Sequence, residues 1–387
     1  MIGVMQGTRG SPIDSARKRS DYILLATVVA LSAFGLTMVY SATRFANQRR
    51  EMLESASMER QLIFVVAGLI LMIGLSLVDY RDLKYMLPML YGGVVAGLVA
   101  VFLFDDVQGA RRWIDLKFFK LQPAEFAKLV AVLGLASLFT MDRESKRLTW
   151  KRIFQSLVML GPLTFLVLVE PDLATTLVFV WVWFVMVFLA GARWKQITLI
   201  VSVAISSVVY AVMGDRLMTH QMNRLRIWRD PYSDPLNLGY QLIQSRRAVG
   251  AGQLFGQGLF NGNQTNLAMI PEQENDFIFT AIGEQLGFVG GLLVLMAFLV
   301  VVWRLLVIAT NSKDRFGALV AGGFAAMIGF HVFVHIGVTI GVTPPTGIPL
   351  PFVSAGGSFY LTMAAAIGIA NSIWIRRSAL PGERHDL

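Results

Sequence analysis

Three carboxylates close a long polar segment of this sequence just before an apolar run. The segment extends from Gly214 to Asp276, and its last residues, Pro271-Glu272-Gln273-Glu274-Asn275-Asp276, lead directly into Phe277-Ile278-Phe279. Asp276 therefore stands where a loop becomes a helix, and a carboxylate held there can act as a general base. The alternative is helix capping, because exposed amides and the helix dipole favour an acid at this position and lower its pKa.

Further charged residues lie within apolar runs or at their ends, where charge is costly and usually faces a protein interior. Glu284 follows Asp276 by about two helical turns. Glu125 and Lys128 are spaced i,i+3, so they can neutralise each other on one helix face. Glu170-Pro171-Asp172 forms a short turn that holds two acids. A structural hydrogen bond for Glu284 and a self-contained Glu125–Lys128 pair remain the alternatives to substrate binding.

The polar segment also carries groups that suit phosphate. Arg224, Arg246 and Arg247 lie in it, and a guanidinium group binds phosphate through two parallel hydrogen bonds. Glycines between Gly250 and Gly262 indicate a tightly turning backbone, whose amides can also bind phosphate. Their spacing matches neither the dinucleotide-binding motif nor the P-loop.

His331 and His335 have the i,i+4 spacing of zinc ligands on a helix. No Glu follows His331, so the sequence favours buried imidazoles that bond across helices. We therefore predict no metal site at this pair.

The segment from Gly341 to Gly357 contains four prolines and several glycines and cannot form a regular helix. At membrane depth such a backbone must line a cavity or be buried in protein. We expect a re-entrant loop close to the polar segment.

The composition defines the setting for these residues. Hydrophobic residues make up 55% of the 387 residues and charged residues only 15%, which indicates an integral membrane protein. Cysteine is absent, which excludes a disulfide framework. The net charge of +9 is explained by cytoplasmic loops better than by nucleic-acid binding.

Ten apolar runs are long enough to cross a bilayer as helices. They are at about 22–40, 61–78, 83–104, 122–140, 153–169, 173–190, 197–213, 277–306, 316–340 and 355–375. The sequence thus predicts an all-α polytopic membrane protein, with residues 1–387 forming a single transmembrane domain. Lys and Arg are more frequent on one side of the predicted bundle, which places both tails, 1–21 and 376–387, in the cytoplasm. The polar segment, residues 214–276, then forms an extracytoplasmic loop between the seventh and eighth helices.

Several stretches resemble the SEDS family of bacterial membrane glycosyltransferases, the RodA, FtsW and SpoVE proteins. Gln122–Lys128 is similar to the family's Q-P-S-E-x-x-K, and Glu170–Leu173 to its P-D-x-G-T turn. Tyr240–Gly252 resembles the loop that precedes P-E-x-x-x-D-F-I-F, which is found here within Pro271–Gly287. Thr346–Ser358 is close to the signature T-G-I-P-L-P-F-I-S-Y-G-G-S.

The resemblance implies a polymerase of peptidoglycan glycan strands. Its substrate is lipid II, a disaccharide-pentapeptide on undecaprenyl pyrophosphate, and it acts outside the bacterial cytoplasmic membrane beside a class B penicillin-binding protein. Asp276 occupies the position of the family's catalytic aspartate. Expected substrate-binding residues are Arg224, Arg246, Arg247, Glu125, Lys128, Asp172, Glu284, Ser354, Gly356 and Gly357, with Arg111 or Arg112 as further candidates for the pyrophosphate.

Alternative functions remain open from the sequence. Ten helices with intramembrane charges also suit a lipid II flippase, and a non-enzymatic scaffold for the penicillin-binding protein would not need Asp276. A Mg²⁺ or Mn²⁺ ion bridging Asp276 and pyrophosphate is compatible with the chemistry, but no recognisable ligand cage is present. We expect the elongation role of RodA, with the division and sporulation roles as alternatives.

Overall fold

The protein is a bundle of long helices in a computed structural model that describes residues 20–49, 56–104, 111–115, 120–141, 147–214 and 219–377. Each of the ten predicted spans coincides with a helix. These helices are α1 (Tyr22–Arg49), α2 (Ala56–Leu77), α3 (Asp82–Ala100), α4 (Pro123–Phe139), α5 (Trp150–Val169), α6 (Leu173–Leu189), α7 (Trp194–Met213), α12 (Ile278–Thr310), α13 (Arg315–Ile340) and α14 (Gly357–Ile375). Both predicted cytoplasmic tails lie almost wholly outside the described residues.

Eight of these helices are long and apolar enough to cross a membrane. The two shorter ones, α4 and α6, have 17 residues each. Helix α4 is nevertheless buried along almost its whole length, and it carries the charged residues Glu125 and Lys128. The prediction of an all-α polytopic membrane protein is therefore confirmed.

The core of the bundle is formed by α4, α13 and α14. The apolar windows of α13 and α14 are 72% and 89% buried, whereas those of α3 and α7 are only 11% and 12% buried. Helix α14 packs closely on α2, where Gly68 lies against the ring of Tyr360 and Gly368 against the backbone of Met72. Small residues at such contacts let membrane helices approach closely, which concentrates the packing in the centre.

The polar segment between α7 and α12, hereafter the insert (residues 214–276), is largely helical in its described part. It contains α8 (Thr219–Arg229), a 3₁₀ turn (Pro231–Ser233), α9 (Leu238–Ala251), α10 (Asn263–Asn266) and α11 (Gln273–Asp276). A two-stranded antiparallel ribbon, β1 (Ile114–Asp115) with β2 (Lys120–Leu121), lies between α3 and α4. The glycine-rich part of the insert, predicted as turning backbone, follows α9.

Helix α12 is broken at Gly287, whose φ of 66° and ψ of −163° lie outside the helical region. The N–H groups of Gln257 and Gly258 donate to the carbonyls of Glu284 and Gln285, both at 3.0 Å. Beyond the break, the N–H of Phe288 donates to Gln253 O at 2.8 Å. The glycine-rich part of the insert therefore supplies the backbone partners that the helix loses at its break.

The segment from Gly341 to Gly356 has no regular secondary structure and is buried or half-buried except at Val342 and Gly347, as the sequence predicts for a re-entrant loop. Helix α1 approaches it so closely that a Cβ atom on Gly35 would lie 2.5 Å from Phe352 O. This segment and the insert meet at one end of the bundle, where they surround a polar cavity.

Candidate active site

The polar cavity has a volume of about 340 Å³ and contains charged side chains of both signs. Pockets of this size accommodate small polar ligands or the head of a larger one. The charged residues that line it are Arg112, Lys120, Glu125, Lys128, Asp172, Arg224, Glu272 and Asp276. They come from α4, α8, α11, the ribbon and the loops before α6 and α4, so the fold gathers residues that are far apart in the sequence.

Asp276 is the last residue of α11 and lines the cavity. The helix that follows, α12, has Phe277 at its N-cap without a side-chain cap, so Asp276 is not the N-cap residue of this helix. Burial raises the pKa of Asp276 to about 6, the nearby charge of Glu272 adds to the effect, and Arg224 partly opposes it. A carboxylate with this pKa is suited to accept a proton near neutral pH.

The re-entrant segment lies directly against this carboxylate. A Cβ atom on Gly347 would be 3.2 Å from Asp276 Oδ2, and the φ of Gly347 is +77°. Arg224 Nη1 donates to the carbonyls of Pro345 and Thr346, at 2.9 and 3.0 Å. Arg224 therefore links the insert to the re-entrant segment beside Asp276, and burial lowers its pKa from the usual value.

Arg112 and Asp172 form the opposite side of the cavity. Arg112 donates to the carbonyls of Glu170 and Pro171, at 3.0 and 2.5 Å. Asp172 caps α6 by accepting from the N–H and hydroxyl of Thr175, at 3.0 and 2.9 Å. It lines the cavity, but much of its hydrogen-bonding capacity is used by the cap.

Glu170 is fully buried, and both of its carboxyl oxygens lack a hydrogen-bond partner among the described residues. Burial and the negative charge of Asp172 raise the pKa of Glu170 to about 8, although Arg112 partly opposes them. At neutral pH this side chain is therefore mostly protonated and adds little negative charge beside the cavity.

Glu125 and Lys128 form a buried ion pair, with 2.7 Å between Glu125 Oε2 and Lys128 Nζ. The same ammonium group lies 3.3 Å from His331 Nε2. His331 Nδ1 is 2.7 Å from Met327 O, so it carries the proton and leaves Nε2 to accept from Lys128. The pair therefore has an imidazole of the cavity wall as its neighbour.

The two histidines of the zinc-like spacing have separate environments. His331 lines the cavity, whereas His335 Nδ1 lies 2.8 Å from Ile348 O of the re-entrant segment. Both imidazoles are bonded to protein groups on other elements, which favours the structural interpretation. Within the described ranges, no group of three or more His, Cys, Asp or Glu side chains is arranged to hold a metal.

Four of the predicted substrate-binding residues are not brought into the cavity. Arg246 and Arg247 are exposed on α9, outside its lining. Glu284 is buried and accepts from Gln264 N at 2.6 Å and from Thr265 N at 3.0 Å. The observed contacts of Glu284 favour a structural role, because its carboxylate fixes the insert.

Ser354 is also outside the cavity lining and holds backbone groups beside it. Its hydroxyl donates to Asn275 O at 2.6 Å and accepts from Leu350 N at 2.9 Å. Gly356 and Gly357 do line the cavity. The signature at the start of α14 therefore both shapes the wall and supports α11.

Several polar lining residues were not assigned to the site from the sequence, among them Lys120, Gln122 and Glu272. Lys120 lies on the ribbon, Gln122 donates to Asp172 Oδ2 at 3.2 Å, and Glu272 accepts from Asn275 Nδ2 at 2.7 Å. Their positions depend on how two loops fold back on the bundle, and no spacing pattern in the sequence reports that.

The profile of one protein family matches residues 22–378. It is the profile of FtsW, RodA and SpoVE, described as cell cycle proteins. The chain belongs to this family. The match confirms the resemblance noted from the motifs, and it covers nearly all of the described residues.

Relatives within the FtsW, RodA and SpoVE family align along most of the chain. The peptidoglycan glycosyltransferase MrdB of Escherichia coli strain K12 is 34% identical over 364 residues, or 93% of this chain and 95% of MrdB. Stage V sporulation protein E of Bacillus subtilis is 35% identical over 354 residues, or 90% and 95%. A probable peptidoglycan glycosyltransferase FtsW of Trichlorobacter lovleyi is 35% identical over 356 residues, or 91% and 92%.

Solved structures share the fold. A chain from a peptidoglycan synthase complex, studied for the coordination of polymerization and crosslinking, has a TM-score of 0.77 at 29% identity. The similarity covers 92% of this chain and 98% of that one. RodA of Thermus thermophilus has a TM-score of 0.67 at 25% identity, with 93% and 98% covered.

Proposed function

We propose that this protein is a peptidoglycan glycosyltransferase that polymerises glycan strands from lipid II. The observation that carries the proposal is the position of Asp276, a partly buried carboxylate with a raised pKa in a cavity that also contains two arginines. Relatives named as peptidoglycan glycosyltransferases along most of the chain support this substrate class.

Glycosyl transfer needs one base and a cationic site for the leaving group. The 4-hydroxyl of the acceptor sugar loses its proton to Asp276 as its oxygen bonds to the anomeric carbon of the growing chain. The bond between that carbon and the lipid pyrophosphate breaks, and the pyrophosphate leaves with the electron pair. The base must be ionised before each cycle, and a pKa of about 6 satisfies this at neutral pH.

Arg112 and Arg224 are the guanidinium groups that would stabilise the departing pyrophosphate. Arg224 donates to the carbonyls of Pro345 and Thr346 through Nη1, and a guanidinium has further N–H donors on Nη2 and Nε. Lys120 adds a third cation at the ribbon. Arg246 and Arg247, exposed on α9, are not required by this mechanism.

The test is polymerisation of fluorescent lipid II by purified protein with its penicillin-treated partner. Asp276→Asn keeps the volume of the side chain, and we expect the rate to fall by about 10² to 10⁴ while expression and partner binding persist. Asp276→Glu should keep partial activity, because the carboxylate survives about one bond out of place. Glu274→Gln, in the same turn but outside the cavity lining, is the matched control.

Asp276 would be excluded as the base if Asp276→Asn polymerised lipid II at a rate within about threefold of the parent. Such a ratio corresponds to a difference of under about one kcal/mol in the activation barrier. The same assay separates the alternative functions. Protected label inside vesicles would indicate a flippase, and neither product nor transport would indicate a scaffold. Glycan ladders from the parent protein are the expected result.

We propose a class B penicillin-binding protein as the partner, since a related chain is part of a peptidoglycan synthase complex that couples polymerization and crosslinking. The proposed location is the bacterial cytoplasmic membrane, with both tails in the cytoplasm and the cavity outside. The elongation role stays a prediction, since MrdB, SpoVE and FtsW relatives are 34–35% identical. A Mg²⁺ or Mn²⁺ ion between Asp276 and pyrophosphate also stays a prediction.

A further inference from the structure

Asp276 belongs to a helix of a single turn, α11, which cannot be stable by itself. Helix nucleation is unfavourable because the first turn fixes several residues for one hydrogen bond. Here the turn is closed by Asp276 N donating to Glu272 O at 3.1 Å, and Glu272 has a left-handed φ of 53°. The position of the Asp276 carboxylate must therefore be fixed by contacts from outside the turn.

One set of contacts starts from Gln273, the first residue of the same turn. Its amide Nε2 donates to Thr280 Oγ1 at 2.8 Å and to Thr265 Oγ1 at 3.2 Å. The Thr265 hydroxyl donates to Glu284 Oε2 at 2.7 Å, and the Thr280 hydroxyl donates to Phe277 O at 2.6 Å. The path thus runs from a carboxylate in α12, through the insert, to the backbone carbonyl next to Asp276.

The direction of each hydrogen bond in this path is determined by its two ends. The Glu284 carboxylate receives three donors and can only accept, so Thr265 must donate to it. The carbonyl of Phe277 also only accepts, so Thr280 must donate there. Both hydroxyls then have only lone pairs left for residue 273, which must supply two N–H donors. A glutamine amide does so, and a carboxylate cannot.

All four side chains of this path are buried, at 0–2% exposure. A buried polar group that loses its hydrogen-bond partner is left unsatisfied at a cost in free energy, so the path resists rearrangement. On the other side of α11, the Ser354 hydroxyl donates to Asn275 O at 2.6 Å and Ala355 N donates to Glu274 O at 2.9 Å. The turn is held between the insert and the re-entrant segment.

We propose that the hydrogen-bonded path Glu284–Thr265–Gln273–Thr280 positions the Asp276 carboxylate in the cavity, with Gln273 as its central positioning residue. This inference rests on the proposed function, because it assigns a reason to hold Asp276 only if Asp276 acts as the base. It also gives buried Glu284 a role outside substrate binding.

The variants remove the hydrogen bonds and keep the size of the side chains. Gln273→Met has a similar length without donors, and Gln273→Glu places an acceptor against two lone pairs. Gln253→Met is the matched control, because it makes the same change at an exposed side chain of the insert. Thr265→Val removes one hydroxyl while two backbone donors to Glu284 remain, and Thr265→Ser restores the hydroxyl.

The measurements are kcat and KM for lipid II polymerisation as a function of pH, with thermal unfolding of each purified variant. We expect Gln273→Met to lower kcat about 10- to 100-fold with KM within about twofold, since small misplacements of a reacting group are costly. The acid limb of the pH–rate profile should lie at lower pH in Gln273→Met than in the parent, because a displaced Asp276 carboxylate is less buried. Thr265→Val should lose activity, and Thr265→Ser should recover it to within about twofold.

The positioning role of Gln273 is overturned if Gln273→Met keeps the kcat and the acid limb of the parent while Asp276→Asn is inactive. That result would leave the assignment of Asp276 as the base intact. Activity in Asp276→Asn would instead overturn the proposed base. If Gln273→Met does not fold, the two Thr265 variants decide, and equal activity in both contradicts the proposal. Loss of activity that follows only the unfolded fraction, with an unchanged acid limb, would indicate a purely structural role and also overturn it.

Discussion

The ion pair of Glu125 and Lys128 should tolerate neutralisation of both members better than of either one. The charged atoms are 2.7 Å apart and both side chains are at most 5% exposed. Their attraction is about 6 kcal/mol at an effective dielectric constant of about 20. Removing both charges from water costs a similar amount, so the pair as a whole contributes little to the free energy of unfolding. Removal of one partner leaves a buried charge, which costs about 3–5 kcal/mol.

The structure also ranks the two single variants. In Glu125→Gln, the Lys128 ammonium keeps its contact with His331 at 3.3 Å and lies 5.3 Å from the centre of the Phe359 ring. In Lys128→Met, the Glu125 carboxylate loses its cation and remains near the like charge of Asp172. Lys128→Met should therefore be the more destabilising change.

The assay is the free energy of unfolding in an SDS titration of purified protein, together with the polymerisation rate. We expect Lys128→Met to lose about 3–5 kcal/mol, Glu125→Gln less, and the double variant Glu125→Gln/Lys128→Met less than Lys128→Met. Equal losses in the single and double variants, or strictly additive ones, would refute the coupling of this pair.

Two further predictions concern the environment of Asp276. The polymerisation rate should fall about tenfold per pH unit below about pH 6, where a protonated Asp276 cannot accept a proton. Glu272→Gln should move this acid limb of the pH–rate profile to lower pH, because the charge of Glu272 raises the pKa of Asp276. An acid limb that does not move in Glu272→Gln would contradict this prediction. Gly347→Ala should lower kcat at least about tenfold, because the new methyl group would lie 3.2 Å from Asp276 Oδ2 and the φ of residue 347 is +77°. Gly74→Ala is the control, since its methyl group would meet nothing within 4 Å. Equal rates for the two variants would contradict the prediction.

The membrane-spanning helices could be predicted from the sequence because their signal is local. An apolar run of sufficient length reports its own helix, since the backbone in lipid must satisfy its hydrogen bonds within the segment. The helical content of the insert was not predicted, because α8 to α11 are short and carry polar residues that follow no clear period. Their stability depends on contacts with α12 and the re-entrant segment.

The cavity was predictable in part. Glu125, Lys128 and Asp172 were identified because a charge within or beside an apolar run must face a polar interior. The same reasoning applied to Glu284, but its carboxylate turned out to face the insert. Sequence distance along a helix cannot decide between a cavity and a neighbouring loop as the partner of a buried acid.

The sequence by itself determined the family, the helical spans and the identity of Asp276 as the acid of interest, since each depends on motifs or runs of adjacent residues. Only the tertiary structure decided that Arg112 and Arg224 line the cavity while Arg246 and Arg247 do not. It also decided the direction of the pKa shift of Asp276, because helix capping and burial act in opposite senses and the degree of burial depends on segments about 70 residues apart in the chain.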